Sequence, residues 1–145
     1  MYRIPIYTVT LVRERTQAVD KKRISSPTDA YKILNEFIGD TDREHFIVLL
    51  MDARNTVRGI HIASIGSLNA AIVHPREVFK SAILANSAGV ILCHTHPSGD
   101  TAPSSEDLAL TSKLVKAGEL LGIAVFDHII LGDNCFLSLK ERGLI

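Results

Sequence analysis

The chain has 145 residues, 46% hydrophobic and 22% charged, with sixteen basic side chains balanced by sixteen acidic ones. That composition excludes a disordered polar chain and argues against a domain whose main task is gripping nucleic acid, which calls for a basic excess. A chain of this length buries roughly 70% of the surface it exposes unfolded, so it needs no disulfide or structural metal to fold. Any metal site in it is therefore expected to be functional.

Cys93 and Cys135 lie in apolar runs without CxxC spacing, which reads as buried thiols in a reducing compartment. The opening MYRIPIYTVTLVRER has no basic head followed by a long apolar stretch, and no apolar segment approaches the roughly 18 residues of a membrane span. The expectation is a soluble, cytoplasmic protein with no membrane partner. A basic cluster at Arg13, Arg15, Lys21, Lys22 and Arg23 is broken by Glu14 and Asp20 and reads as a solvated connection.

Ile4 to Val12 alternates in the manner of an opening strand, with residues 1–25 forming that strand and a connection. Ser26-Pro27 then predicts an N-cap with proline at the first helical position, and Ala30, Ile33, Leu34, Phe37 and Ile38 follow at helical spacing up to Gly39. His45 to Met51 is a short buried strand, Asp52 to Asn55 a turn, and Val57 to Ile65 its hairpin partner. His74-Pro75 opens a second helix running toward Gly89. Val90 to Cys93 reads as a central strand leading directly into His94-Thr95-His96. After a loop with Pro97, Gly99 and Pro103, Ser104 begins a third helix that Gly122 closes. Ile123 to Leu131 is the next strand and Cys135 to Leu137 its partner. The predicted fold is one α/β (α+β) domain over residues 1–145, a mixed β-sheet flanked by helices.

The chemistry concentrates in HTHPSGDTAPSSED, residues 94–107. In extended backbone, residues two apart point the same way, so His94 and His96 can aim ring nitrogens at one point beyond the strand end. The loop reverses the chain, and the next helix carries Asp107 in its first turn. Two histidines and a carboxylate, with a fourth position left for water, suit a catalytic zinc. The same serine and aspartate also read as a helix cap, with Ser104 at the N-cap and Asp107 in the favoured acidic first turn. Capping leaves the histidine pair at the mouth of the loop unexplained.

These residues resemble the JAB/MPN (JAMM) metallopeptidases, whose pattern is His-x-His, a seven-residue spacer, then Ser-x-x-Asp. The fuller run with its preceding apolar strand is similar to the RadC branch, as are Arg43-Glu44-His45-Phe46, His74-Pro75-Arg76-Glu77, Leu121-Gly122-Ile123 and Asp127-His128-Ile129-Ile130. Threonine stands at 95 where RadC-like sequences often have asparagine. No helix-hairpin-helix segment, which commonly precedes the RadC domain, is read within residues 1–40.

The resemblance implies a cytidine deaminase-like, JAB/MPN-type fold. It also implies one zinc ion per chain on His94, His96 and Asp107, with a peptide or protein as substrate. It assigns Ser104 to the zinc water or the oxyanion, a role beside which simple capping stands equally. It calls for an upstream glutamate as general base and selects Glu44, which the residues alone do not separate from Glu36 or Glu77. The implied activity is peptidase or isopeptidase hydrolysis. The alternative is a non-catalytic or accessory module in DNA repair or recombination, against which neutral charge counts. A zinc deaminase is set aside because neither H-x-E nor P-C-x-x-C occurs. His128, beside Asp127, reads first as a core or strand-end histidine and second as a group that orients a ligand. His45 is expected to point away from Glu44, His74 to be a turn residue, and Cys93 to face away from His94.

Overall fold

A computed structural model of the chain describes residues 1–66 and 73–145. Three helices and five strands follow one another as α1 (Pro27–Ile38), β1 (His45–Met51), β2 (Val57–Ile65), α2 (Pro75–Leu84), β3 (Gly89–Thr95), α3 (Ser105–Leu121), β4 (Ala124–Leu131) and β5 (Phe136–Ser138). The strands form one mixed sheet in the order β2-β1-β3-β4-β5. Only β3 and β4 run parallel, joined through α3, and every other neighbouring pair is antiparallel.

The sheet divides the core in two. Phe46, Val48, Leu50, Val90 and Leu92 face α2 and α3, together with Val78, Phe79, Leu110 and Leu114. The alternate residues Ile47, Leu49, Met51, Ile91 and Cys93 face α1 with Ala30, Ile33 and Leu34. Burial on both faces is why β1 and β3 read as unbroken apolar runs rather than alternating ones. The two-residue periodicity of the backbone then sends Cys93 to the α1 side and leaves His94 on the α3 side.

Helix ends lie where capping chemistry puts them. Proline opens α1 and α2 at the first turn, where its missing N–H costs nothing. Gly122 closes α3 in the left-handed conformation at φ 71°. His74 precedes α2 without capping it through its side chain, in keeping with a turn residue.

Two expectations need correction. Among the described residues Ile4 to Val12 pairs with no strand, and Ile4, Ile6, Tyr7, Val9 and Val12 are exposed. That segment carries apolar side chains on both faces, so a strand there would require cover on both sides, and Pro5 has no N–H for a ladder. The pairing that does occur near the N-terminus is short: Arg23 bridges Thr56 beside β2. Cys135 is an exposed free thiol rather than a buried one, whereas Cys93 is buried. The basic cluster behaves as a solvated connection, with Lys21 paired to Asp29 at 2.9 Å. No described helix is long and apolar enough to cross a membrane.

β4 contains an irregularity that matters below. Val90 pairs with Val125, but Ile91 pairs with Asp127, so Phe126 is an extra residue. The bulge resets the alternation and turns His128, opposite Leu92, to the α3 face.

Helix α3 packs against α2 and the turn into β4 closely enough to need Gly118, where a methyl group would meet the carbonyl oxygen of Ile123 and the ring of Phe79. Gly118→Ala gains about 1 kcal/mol of helix propensity in an exposed helix, but here overpacking costs about 1–3 kcal/mol. The thermal midpoint is expected to fall by about 2–4 °C per kcal/mol of net loss. A raised midpoint in calorimetry would show that this contact yields.

Candidate metal centre

The carboxyl ends of parallel strands are where α/β sheets place ligands, and here that end of β3 carries His94 and His96. His94 is the penultimate residue of the strand, and His96 still pairs with β4 through its amide, which donates to Leu131 O at 2.8 Å. The extended backbone thus persists past the strand end, and the rings converge with Nε2 atoms 2.8 Å apart. Asp107, in the first turn of α3, places Oδ1 3.3 Å from His94 Nε2 and Oδ2 3.2 Å from His96 Nε2. Among the described residues these three form a group able to hold a metal ion.

The cap and the candidate ligand are the same residue. Asp107 Oδ2 accepts the Ser104 amide at 2.9 Å while Ser104 Oγ accepts the Asp107 amide at 3.0 Å, a complete capping box. The carboxylate still faces both histidines. Capping orients this ligand and does not compete with it.

The hydrogen bonds determine where the protons sit. A carbonyl oxygen only accepts, so His96 Nδ1, 2.7 Å from Asp100 O, carries the hydrogen. Thr111 Oγ1 likewise donates to Asp107 O at 2.8 Å, which leaves it to accept from His128 Nδ1 at 2.6 Å. Burial, followed by the nearby His94 charge, holds the His128 pKa well below the usual histidine value, so the ring is neutral. His128 Nε2 is then the acceptor of its 2.7 Å bond with His94 Nδ1. When neutral, both His94 and His96 consequently turn an Nε2 lone pair toward Asp107, and each becomes a hydrogen-bond donor to that carboxylate only on taking up a second proton.

Two lone pairs and a carboxylate meeting at one point require a cation. Without a metal, a proton serves: the hydrogen bond to Asp107 raises the His96 pKa against the opposing effect of desolvation. Burial pulls the Asp107 carboxyl upward, but the hydrogen bonds from His94 and His96 outweigh it and hold the group well below the usual carboxylate range. A divalent ion suits the same three donors better, because it engages both lone pairs at once.

Glu44 arrives by register. Phe46 and His94 are the last pair of the antiparallel β1–β3 ladder, so Glu44, two residues before Phe46, lies at the same end of the sheet as His96, two residues after His94. Glu44, His96, Ser104, Glu106 and Asp107 border a cleft of about 330 Å³. The rival glutamates are elsewhere: Glu36 is exposed on α1, and Glu77 pairs with Lys80 at 3.0 Å on α2. Ser104 Oγ accepts the Asp107 amide, so its own hydrogen can be donated toward the cleft. His45 bonds to Thr41 and Arg43 O rather than to the centre.

His128 is both a core histidine and an orienting one, fully buried and held on His94. Its neighbour Asp127 accepts the His128 backbone amide at 2.7 Å through Oδ1 and leaves the ring to Thr111 and His94. The Phe126 bulge turns that carboxylate to the other face, where it accepts Ser138 Oγ at 2.6 Å and the Lys140 amide at 3.1 Å. Thr111 was not singled out from the sequence. Its signal was its place one helical turn after Asp107. The Phe46 ring closes the apolar side, stacked on His94 with centroids 6.3 Å apart.

With this geometry described, comparison with known proteins is informative. The sequence model of a RadC-like JAB domain matches residues 24–144. A UPF0758 protein of Methanosarcina mazei is 51% identical over 125 residues, which are 86% of this chain and 55% of that protein. One from Methanococcoides burtonii is 53% identical with the same coverage. One from Desulforamulus reducens is 52% identical over 122 residues, 84% of this chain and 54% of that protein. The chain therefore spans about half the length of the curated relatives it matches.

Two outcomes follow from the proton arrangement. His128→Phe removes the acceptor for His94 Nδ1 and is expected to weaken divalent-metal binding by about 10–100-fold, measured by chelator competition on the folded protein. Unchanged affinity would show that packing alone orients His94. Metal and proton compete for His96 Nε2, so affinity should rise with pH through the raised range of that histidine. A flat profile would contradict the assignment.

Proposed function

The chain belongs to the RadC-like JAB domain family, and on that premise we propose that it is a zinc-dependent hydrolase acting on an amide bond in a peptide or protein. The observation that carries this reading is the convergence of two imidazole lone pairs and the Asp107 carboxylate beside a cleft that Glu44 also borders. His94, His96 and Asp107 would hold one zinc, the ion best matched by two imidazoles and a carboxylate with an open fourth position. Bound there, zinc supplies Lewis acidity and brings the pKa of a water down to about 7.

The residues of the chain do the rest. Glu44 takes a proton from the attacking water and delivers it to the leaving amine, the two halves of general base and general acid work. Ser104 directs its hydroxyl hydrogen at the developing oxyanion, where a fixed donor lowers the barrier by stabilising charge that grows in the transition state. His128 and Thr111 keep His94 in the tautomer that leaves Nε2 unprotonated. Phe46 excludes water from the buried side of that ring. Balanced charge favours a polypeptide substrate over a phosphate backbone.

The test is metal content followed by turnover. Purified protein should carry one zinc, His96→Ala should lose it, and Glu44→Gln should keep it while losing about 10²–10⁴-fold in amide hydrolysis, screened on a mixed peptide library. Full zinc occupancy in His96→Ala would sink the ligand assignment. Undiminished hydrolysis by Glu44→Gln would remove that residue as the base.

A further inference from the structure

Thr95 sits between the two histidines, is 4% exposed, and is no part of the donor set. Backbone pairing between β1 and β3 ends at Phe46 and His94. Beyond that point the Thr95 side chain takes over. Its Oγ1 accepts the His45 amide at 2.9 Å and donates to Arg43 O at 3.1 Å. These two groups belong to the peptide units immediately before and after Glu44. One hydroxyl thus clamps both flanks of Glu44, and the Gly66 amide donates to Glu44 O at 2.8 Å as a third tether.

We propose that Thr95 is a positioning residue that couples the metal-binding strand end to the Glu44 carboxylate, fixing the base relative to the ligands through the Glu44 backbone. The task needs a side chain that donates and accepts at once from a short stem, which a hydroxyl does and an alkyl group does not. Valine has nearly the same shape as threonine but would leave the half-buried His45 amide and Arg43 carbonyl without this partner. Serine retains the clamp. The proposal rests on the reading of Glu44 as the proton carrier, and its test separates the two.

Cobalt(II) replaces zinc as a visible probe, and the protein is compared with Thr95→Val, Thr95→Ser and Glu44→Gln. In Thr95→Val, hydrogen exchange at the His45 amide should accelerate by about tenfold. The cobalt absorption bands should shift in the direction seen for Glu44→Gln. Cobalt affinity should stay well inside the about 10–100-fold loss that follows removal of an orienting partner of a ligand. Thr95→Ser should restore both exchange and spectrum.

Unchanged exchange at His45 in Thr95→Val would overturn the proposal. So would a collapse of cobalt affinity with the Glu44 segment still protected, because the hydroxyl would then serve the ligands. Thr95→Ala carries the same readouts if valine does not fold, and failure of both to fold would assign the hydroxyl to stability and likewise overturn it. If Glu44→Gln leaves the cobalt bands untouched, the hydrolytic reading loses its base, while exchange at His45 still decides the role of Thr95.

Discussion

Strand β3 lies between an antiparallel neighbour and a parallel one, and the candidate centre depends on that placement. The antiparallel ladder with β1 brings the start of one strand to the end of the other, so Glu44 and His96 border one cleft although fifty-two positions separate them in the chain. The parallel ladder with β4 requires a crossover, and α3 is that crossover, so its first turn begins beside the strand end it has just left. A slip of one residue in β1 would send Phe46 to the wrong face and move Glu44 from the cleft. The apolar packing on both sides of β1 and β3 resists such a slip, because it would expose one buried set and crowd the other.

Much of this was legible beforehand, for physical reasons tied to particular residues. Pro27, Pro75, Ser104 and Gly122 mark helix ends because their backbone preferences suit nothing else nearby. The alternation of Cys93 and His94 correctly separated a packed thiol from a candidate ligand. What the residues alone left open depends on long-range pairing. Glu44 could not be separated from Glu36 and Glu77 without the β1–β3 register. The orienting role of His128 depends on one extra residue, Phe126, that local periodicity does not reveal. The opening segment failed in the other direction, since Ile4 to Val12 has the propensity of a strand yet pairs with neither edge strand, β2 or β5, in the described structure.

The sequence posed capping and ligation as rival explanations of Ser104 and Asp107, and the structure dissolves the rivalry. A carboxylate has about four acceptor positions, enough for the Ser104 amide and both imidazoles together. The interaction that ends a helix favourably also removes the rotational freedom of the ligand, so the ordering cost is met by the fold itself.

That sharing separates assembly from loading. His94 is oriented by His128, His96 by Asp100 O and Asp107 by its own helix turn, all through contacts within the chain. The three side chains are therefore aimed by the polypeptide itself, and an ion would find its donors already placed, unlike small zinc modules that are unfolded without their metal. At such a centre an ion would come and go as a solute does at a rigid receptor, and occupancy would become a matter of supply rather than of synthesis.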